Sequence, residues 1–206
     1  MPRDASDTKA RLLRAGEQLF ALHGVDGARA ADINKAAGQS NESALHYHFG
    51  SRQGLLLAIV RKHIALTEPE RRSMLAALHE AGLDGDVHAL VAALVVPDAE
   101  RLHTEDGRDY LRIIAQLAGR VGVQEGPAVL PVDETSLSEI IDLLLRAVRV
   151  ATSDRVARER VAAAIGFLTF SLADRARRLT DGERMLLAHR PYVDDLVTML
   201  TGALTA

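Results

Sequence analysis

The sequence predicts an all-α chain, a short N-terminal group of helices followed by a larger helical body. Three observations predict it. Helix formers dominate and β-branched alternation is scarce; Gly and Pro fall at intervals that cut the chain into helix-length pieces; apolar residues recur three or four positions apart within those pieces. At 206 residues the chain buries roughly 70% of its extended surface, enough for one substantial core. With 48% hydrophobic and 26% charged residues, neither overall disorder nor a collagen-like repeat fits.

The first predicted helix starts at Asp7, a good N-cap, and carries Leu12, Leu13, Leu19 and Phe20 largely on one side. His23-Gly24 ends it, with glycine as a left-handed cap, and Val25-Asp26-Gly27 turns the chain. A short helix from Ala30 to Ala37 is closed by Gly38, and a second covers Gln39 to Phe49. Gly50-Ser51 precedes a longer helix through Leu55, Leu56, Ile59, Val60 and Ile64, which is expected to stop near Pro69. Further helices are expected over 70–81, 86–96, 98–121, 135–151, 154–179 and 184–203, with a loop from Gly126-Pro127 to Pro131.

Charge divides the chain. Residues 1–62 carry a surplus of +3 and residues 63–206 a deficit of −6. A basic head on an acidic body points to a polyanion partner for the head alone. Cysteine is absent, which excludes disulfides, thiolate zinc sites, iron–sulfur clusters and cysteine nucleophiles and suits a reducing compartment. The polar start, Met1 to Asp7, is unlike a secretory signal, and the longest apolar run, Ala89 to Val96, is too short to span a bilayer. A soluble cytoplasmic protein with no membrane partner is therefore expected.

Two short helices joined at Gly38 and packed on a longer first helix fit the helix-turn-helix plan. Ala36 and Ala37 are small enough for close approach, Gly38 supplies the positive φ of a sharp turn, and Ile33 and Leu45 can anchor the two helices. Beyond Gly38, almost every position outside the core is a hydrogen-bonding type: Gln39, Ser40, Asn41, Glu42, Ser43, His46, Tyr47 and His48.

Over residues 8 to 60 the sequence resembles the TetR family of bacterial transcription regulators. The resemblance rests on Leu19-Phe20 and Gly24; on Asp32-Ile33 followed by Ala36-Ala37-Gly38; and on Tyr47-His48-Phe49-Gly50-Ser51-Arg52 followed by Gly54-Leu55-Leu56. It implies a three-helix DNA-binding domain over residues 1–52 and a helical ligand-binding and dimerisation domain over residues 53–206. It also implies a repressor that binds a palindromic operator in double-stranded DNA as a homodimer and is released by a small-molecule effector. The second short helix is one residue longer than the commonest family pattern, and Ala28-Arg29-Ala30 stands where the family often has a phosphate-binding Thr or Ser.

Residue roles follow from this resemblance and from side-chain chemistry. Gln39, Ser40, Asn41 and Ser43 are candidate base readers, and Glu42 could accept from a cytosine amine. Arg29, His46, Tyr47, His48 and Arg52 are candidate phosphate contacts. Asn41 also fits a turn or cap, Arg52 a solvated charge, and Tyr47 and His48 partly buried packing residues. The expected dimer face comprises Val161, Ile165, Leu168 and Leu172 with Val193, Leu196, Val197 and Leu200; the competing reading is the core of a monomer. Leu102, Tyr110, Ile114, Leu117, Leu144 and Phe167 are candidate lining for a largely apolar effector, although each also fits plain core.

An enzyme is the main rival, but none of its usual signatures occurs: no Gly-x-Ser-x-Gly, P-loop, Rossmann glycines or His-Glu-x-x-His. His46 and His48 diverge by about 200° on a helix, the other histidines are scattered, and no metal or cofactor is expected. A helical adaptor that binds protein is the second rival; the basic head and the polar second helix argue against it.

Overall fold

The computed structural model describes residues 2–39, 41, 43–118 and 135–206. Among them the chain is helical throughout, with no strand: α1 (Pro2–Gly27), α2 (Ala30–Ala36), α3 (Ala44–Phe49), α4 (Arg52–Glu80), α5 (Val87–Ala99), a 3₁₀ turn (Glu100–His103), α6 (Glu105–Ala118), α7 (Ser136–Arg149), α8 (Asp154–Thr180) and α9 (His189–Thr205). The loop expected at Gly126 to Pro131 lies outside the described residues. No helix among the described residues is long and apolar enough to cross a membrane.

Several boundaries differ from expectation, each for a local reason. The first helix begins at Pro2 rather than at Asp7 and is kinked at Gly24. Pro69 does not end a helix, because α4 runs through it to Glu80. The proline ring faces solvent, while Ile64, Thr67, Arg71, Leu75 and Leu78 bury the opposite face on both sides of it. That continuous buried face outweighs the one backbone hydrogen bond a proline removes. The helix expected over 98–121 is divided: α5 continues through Pro97, the 3₁₀ turn follows, and Thr104 Oγ1 caps α6 by accepting from Gly107 N at 3.2 Å. The last helix starts at His189 instead of 184, with Pro191 in its first turn, where its missing N–H costs nothing.

Two apolar clusters form among the described residues. The head cluster gathers Leu12 and Phe20 from α1, Ile33 from α2, Leu45 from α3 and Leu55 to Ile64 from α4, and it takes in Ile113 and Leu117 of α6. The body cluster gathers the inner faces of the second half of α4 and of α5 to α9. The cut expected between residues 52 and 53 falls at the start of α4, which contributes to both clusters.

A polar seam joins head and body. His63 of α4 lies 3.0 Å from Glu17 of α1 and stacks on Tyr110 of α6, ring centroids 4.4 Å apart and planes 7° from parallel. Lys62 Nζ bridges Glu17 at 2.8 Å and Asp106 at 3.2 Å, and Arg14 reaches Asp109 at 2.7 Å. Each of these contacts links α1 or α4 to a neighbouring helix, so the head is held by directional bonds as well as by packing.

Candidate nucleic-acid interface

The turn between α2 and α3 is built from the inside outward. Ile33 and Leu45 are fully buried and Ala37 nearly so, which seats both helices on α1 and α4. Gly38 adopts φ +68°, a conformation that an L side chain would strain. Asn34, missed at the sequence level, holds the turn: its backbone carbonyl accepts from Gln39 N at 2.9 Å, and its buried Oδ1 accepts from Leu45 N at 3.1 Å. That side chain thus satisfies one of the orphan N–H groups at the start of α3.

The helix expected over Gln39 to Phe49 contracts to the six residues of α3. Asn41 is responsible at its leading end. Its Oδ1 accepts from Ser43 N at 2.9 Å and from Ser43 Oγ at 2.7 Å, a side-chain turn that competes with helix. Adenine readout needs the amide oxygen as well as the nitrogen, so in this conformation Asn41 acts as the turn residue rather than as a bidentate reader. Gln39 is half-buried and donates to the Ala37 carbonyl at 3.3 Å. Ser40 and Glu42 lie outside the described residues.

The outer edge of α3 is polar and open. Ser43 and His46 are exposed, and Tyr47 is 83% exposed, with His48 half-buried against it edge to face at 5.0 Å. His46 Nδ1 donates to the Gly50 carbonyl at 2.8 Å, which fixes the ring and turns Nε2 away from the backbone. Arg29 is exposed just before α2. Two exposed cations that the sequence reading passed over, Lys9 and Lys35, sit on the same three-helix unit, with Lys9 5.9 Å over the Phe49 ring. Only their position in the fold associates them with this edge.

Arg52 is a correction. Its guanidinium turns inward, donating to the carbonyls of Val25 and Ala28 and lying 5.9 Å from the Phe20 ring centre. It ties the start of α4 to the turn after α1, because those carbonyls lack helical partners and Arg52 supplies the missing donors. A phosphate clamp at Arg52 is not what this geometry offers.

The matching family model is that of the bacterial regulatory proteins of the tetR family, over residues 12–59, the same head and the first turns of α4. Residues 12–59 are thus similar to the DNA-binding head of TetR-family regulators. An uncharacterised HTH-type transcriptional regulator of Mycobacterium bovis is 29% identical over 106 residues, 52% of this chain and 50% of that protein. The match therefore spans about half the length of this curated relative. Three solved structures share the fold along most of the chain. A mutant of HlyIIR matches with TM-score 0.57 at 14% identity, covering 98% of both chains. The fatty acid degradation regulator FadR of Bacillus halodurans matches with TM-score 0.57 at 16% identity, covering 94% of this chain and 97% of that one. A gamma-butyrolactone receptor matches with TM-score 0.51 at 22% identity, covering 97% and 98%. At these identities the likeness is one of fold.

The residues expected at the dimer face point the other way. Val161, Leu168, Leu172, Val193, Leu196, Val197 and Leu200 are all at most 4% exposed and belong to the body cluster, with Ile165 half-buried against it. Their three-and-four spacing marks a buried stripe, and the stripe packs on helices of the same chain. The outer face of α8 instead presents Phe167 and Phe170, 43% and 69% exposed, beside Ala162, Ala163 and Gly166; α9 presents Met199, Gly202 and Ala203.

Phe167 is therefore outside the position expected of a pocket residue. Leu102, Tyr110, Leu117 and Leu144 are buried core and Ile114 is half-buried; Leu144 lines a gap of about 10 Å³ that holds at most a single water. The larger concavity, about 600 Å³, lies between α4 and α7. It is lined by Glu68, Arg72, His79, Glu139, Asp142 and Arg146 among others, so an apolar lining is not what the described residues provide. Glu68 accepts from Ser136 N and Oγ at 3.1 and 2.9 Å, closing one end.

Proposed function

We propose that this chain is a DNA-binding repressor of the TetR type that grips a two-fold symmetric operator as a homodimer and lets go when a small molecule binds the body. The observation that carries the reading is the division of α3. Ala44 and Leu45 are buried and fix it on the head, while Ser43, His46 and Tyr47 form an exposed polar edge on the three-helix unit that also carries the exposed cations Arg29 and Lys35. An edge of hydroxyl and imidazole groups suits the groove and the phosphates of a duplex.

A single head of this size makes few phosphate contacts, so two copies are needed for useful affinity. The outer faces of α8 and α9 support the pairing: Phe167, Phe170 and Met199 are large exposed apolar groups, and the neighbouring Ala and Gly residues allow close helix approach. The effector reading rests on the α4–α7 concavity. Its mix of carboxylates, arginines and histidine suits a ligand with polar groups of both signs. α4 continues from that concavity into the head cluster, so a ligand preferring one setting of α4 would bias the head. A coupling of about 1–3 kcal/mol lowers operator affinity about 5- to 150-fold.

Selection of duplexes from a random pool tests the reading. Enrichment of a palindrome whose binding weakens steeply with salt supports it. Absence of any enriched sequence, or binding indifferent to salt, contradicts it and favours a protein-binding adaptor.

A further inference from the structure

Two groups of three ligating side chains converge among the described residues. Glu17, His63 and Asp106 form one, but Lys62 already bridges the two carboxylates and provides the positive charge there. Glu100, His103 and His189 form the other, and among the described residues the ion-pair partners of Glu100 are the two imidazoles, with no lysine or arginine against it.

The convergence follows from the backbone. Glu100 and His103 open and close a 3₁₀ turn, in which residues three apart eclipse and so point the same way. His189, the first residue of α9, faces them from 89 positions beyond Glu100. Each Nε2 takes its own carboxylate oxygen: His189 lies 3.1 Å from Glu100 Oε1 and His103 3.5 Å from Oε2. The two rings are 4.3 Å apart at 50°, and one ligand atom from each of the three residues lies within 4.8 Å of the other two. Around a tetrahedral ion with bonds near 2.0–2.1 Å, adjacent ligand atoms stand about 3.3 Å apart, so the two measured separations already fit an edge of that figure.

Both sides of the group are anchored from behind. Leu102, between the two ligands of the turn, is buried in the body cluster, and its carbonyl accepts from Arg108 at 3.1 Å. Buried Arg175 donates to the Leu187 carbonyl at 2.8 Å and stacks 4.0 Å over Tyr192, which brackets His189 on both sides in sequence. The ligand side chains are 25% to 56% exposed, leaving an approach for an ion and room for water on its far side.

We propose that Glu100, His103 and His189 bind one divalent transition cation of the zinc class, which joins the corner between α5 and α6 to the first turn of α9. Two imidazoles and one carboxylate favour zinc, nickel or cobalt over magnesium, which prefers oxygen ligands. The site is separate from the α3 edge and stands whether or not the chain binds DNA.

Calorimetric titration of the untagged, chelator-treated chain with zinc chloride tests this. One equivalent of zinc is expected per chain, with no saturable heat from magnesium. His103→Gln and His189→Gln should each weaken binding by at least about 10-fold, the loss seen when even an outer partner of a ligand is removed. Glu100→Gln is a near-isosteric third variant should a change at His189 disturb α9. In the unaltered chain, zinc should protect His103 and His189 from acylation by diethyl pyrocarbonate, read by mass spectrometry. No saturable heat in the unaltered chain, undiminished heat in both histidine variants, or protection of other histidines in place of these two overturns the site.

Discussion

Glu17 of α1 and His63 of α4 meet at 3.0 Å with neither side chain exposed to solvent. The carboxylate can only accept, so His63 carries a proton on Nε2. Lys62 adds a second hydrogen bond to the same oxygen. Head and body thus share a buried carboxylate whose removal strands two donors.

Burial acts to raise the Glu17 carboxyl, but the hydrogen bonds from His63 and Lys62 and the lysine charge outweigh it and hold the group below its usual 4.5. Asp106 likewise overcomes burial through Thr104 and Lys62 and sits at about 2 against an ordinary 3.8. Both carboxyls bind protons more weakly folded than unfolded. Their stabilisation is therefore complete above the unfolded values and lost as pH falls through the folded ones. Glu17→Gln should cost about 3 kcal/mol near neutrality, the range found when one partner of a buried pair is removed. Urea denaturation should show the gap to the unaltered chain narrowing below pH 4.5. A gap that stays constant down to pH 3 would remove the ionised carboxylate from this role.

Tyr47 and Arg52 separate binding from support. Tyr47→Ala removes an 83% exposed ring and should change stability by less than about 0.5 kcal/mol while weakening all duplexes alike. Arg52→Ala strands the Val25 and Ala28 carbonyls and should cost about 1–3 kcal/mol of stability. Thermal denaturation alongside anisotropy titrations checks both. A stable Arg52→Ala chain with lost DNA affinity would restore Arg52 to the phosphate contacts.

Leu168 and Phe170 stand two residues apart on α8 and face opposite ways. Phe170→Glu should yield a folded monomer in sedimentation, whereas Leu168→Ala should leave a dimer destabilised by about 2–5 kcal/mol. A dimer undisturbed by Phe170→Glu would move the interface off this face.

The sequence made some of these features legible and hid others for identifiable reasons. Gly38, Ile33 and Leu45 revealed the turn and its anchors, because a positive φ and two buried contacts constrain residue type locally. The start of α3 was hidden, because Asn41 can cap or continue a helix, and the acceptor that settles Leu45 N–H sits on Asn34, eleven residues earlier. The apolar stripe from Val161 to Leu172 announced a buried face without naming what buries it. Likewise Pro69 reads as a stop until the buried residues on both sides of it are seen to share one face.

Hydrogen exchange of the chain, free and with its selected duplex, tests most directly whether the edge of α3 is the surface that meets DNA. Slowed exchange should centre on residues 43–49, with the outer faces of α8 and α9 unchanged by the duplex. Slowing confined to the body, with residues 43–49 exchanging as in the free chain, would place the contact elsewhere and end the repressor reading.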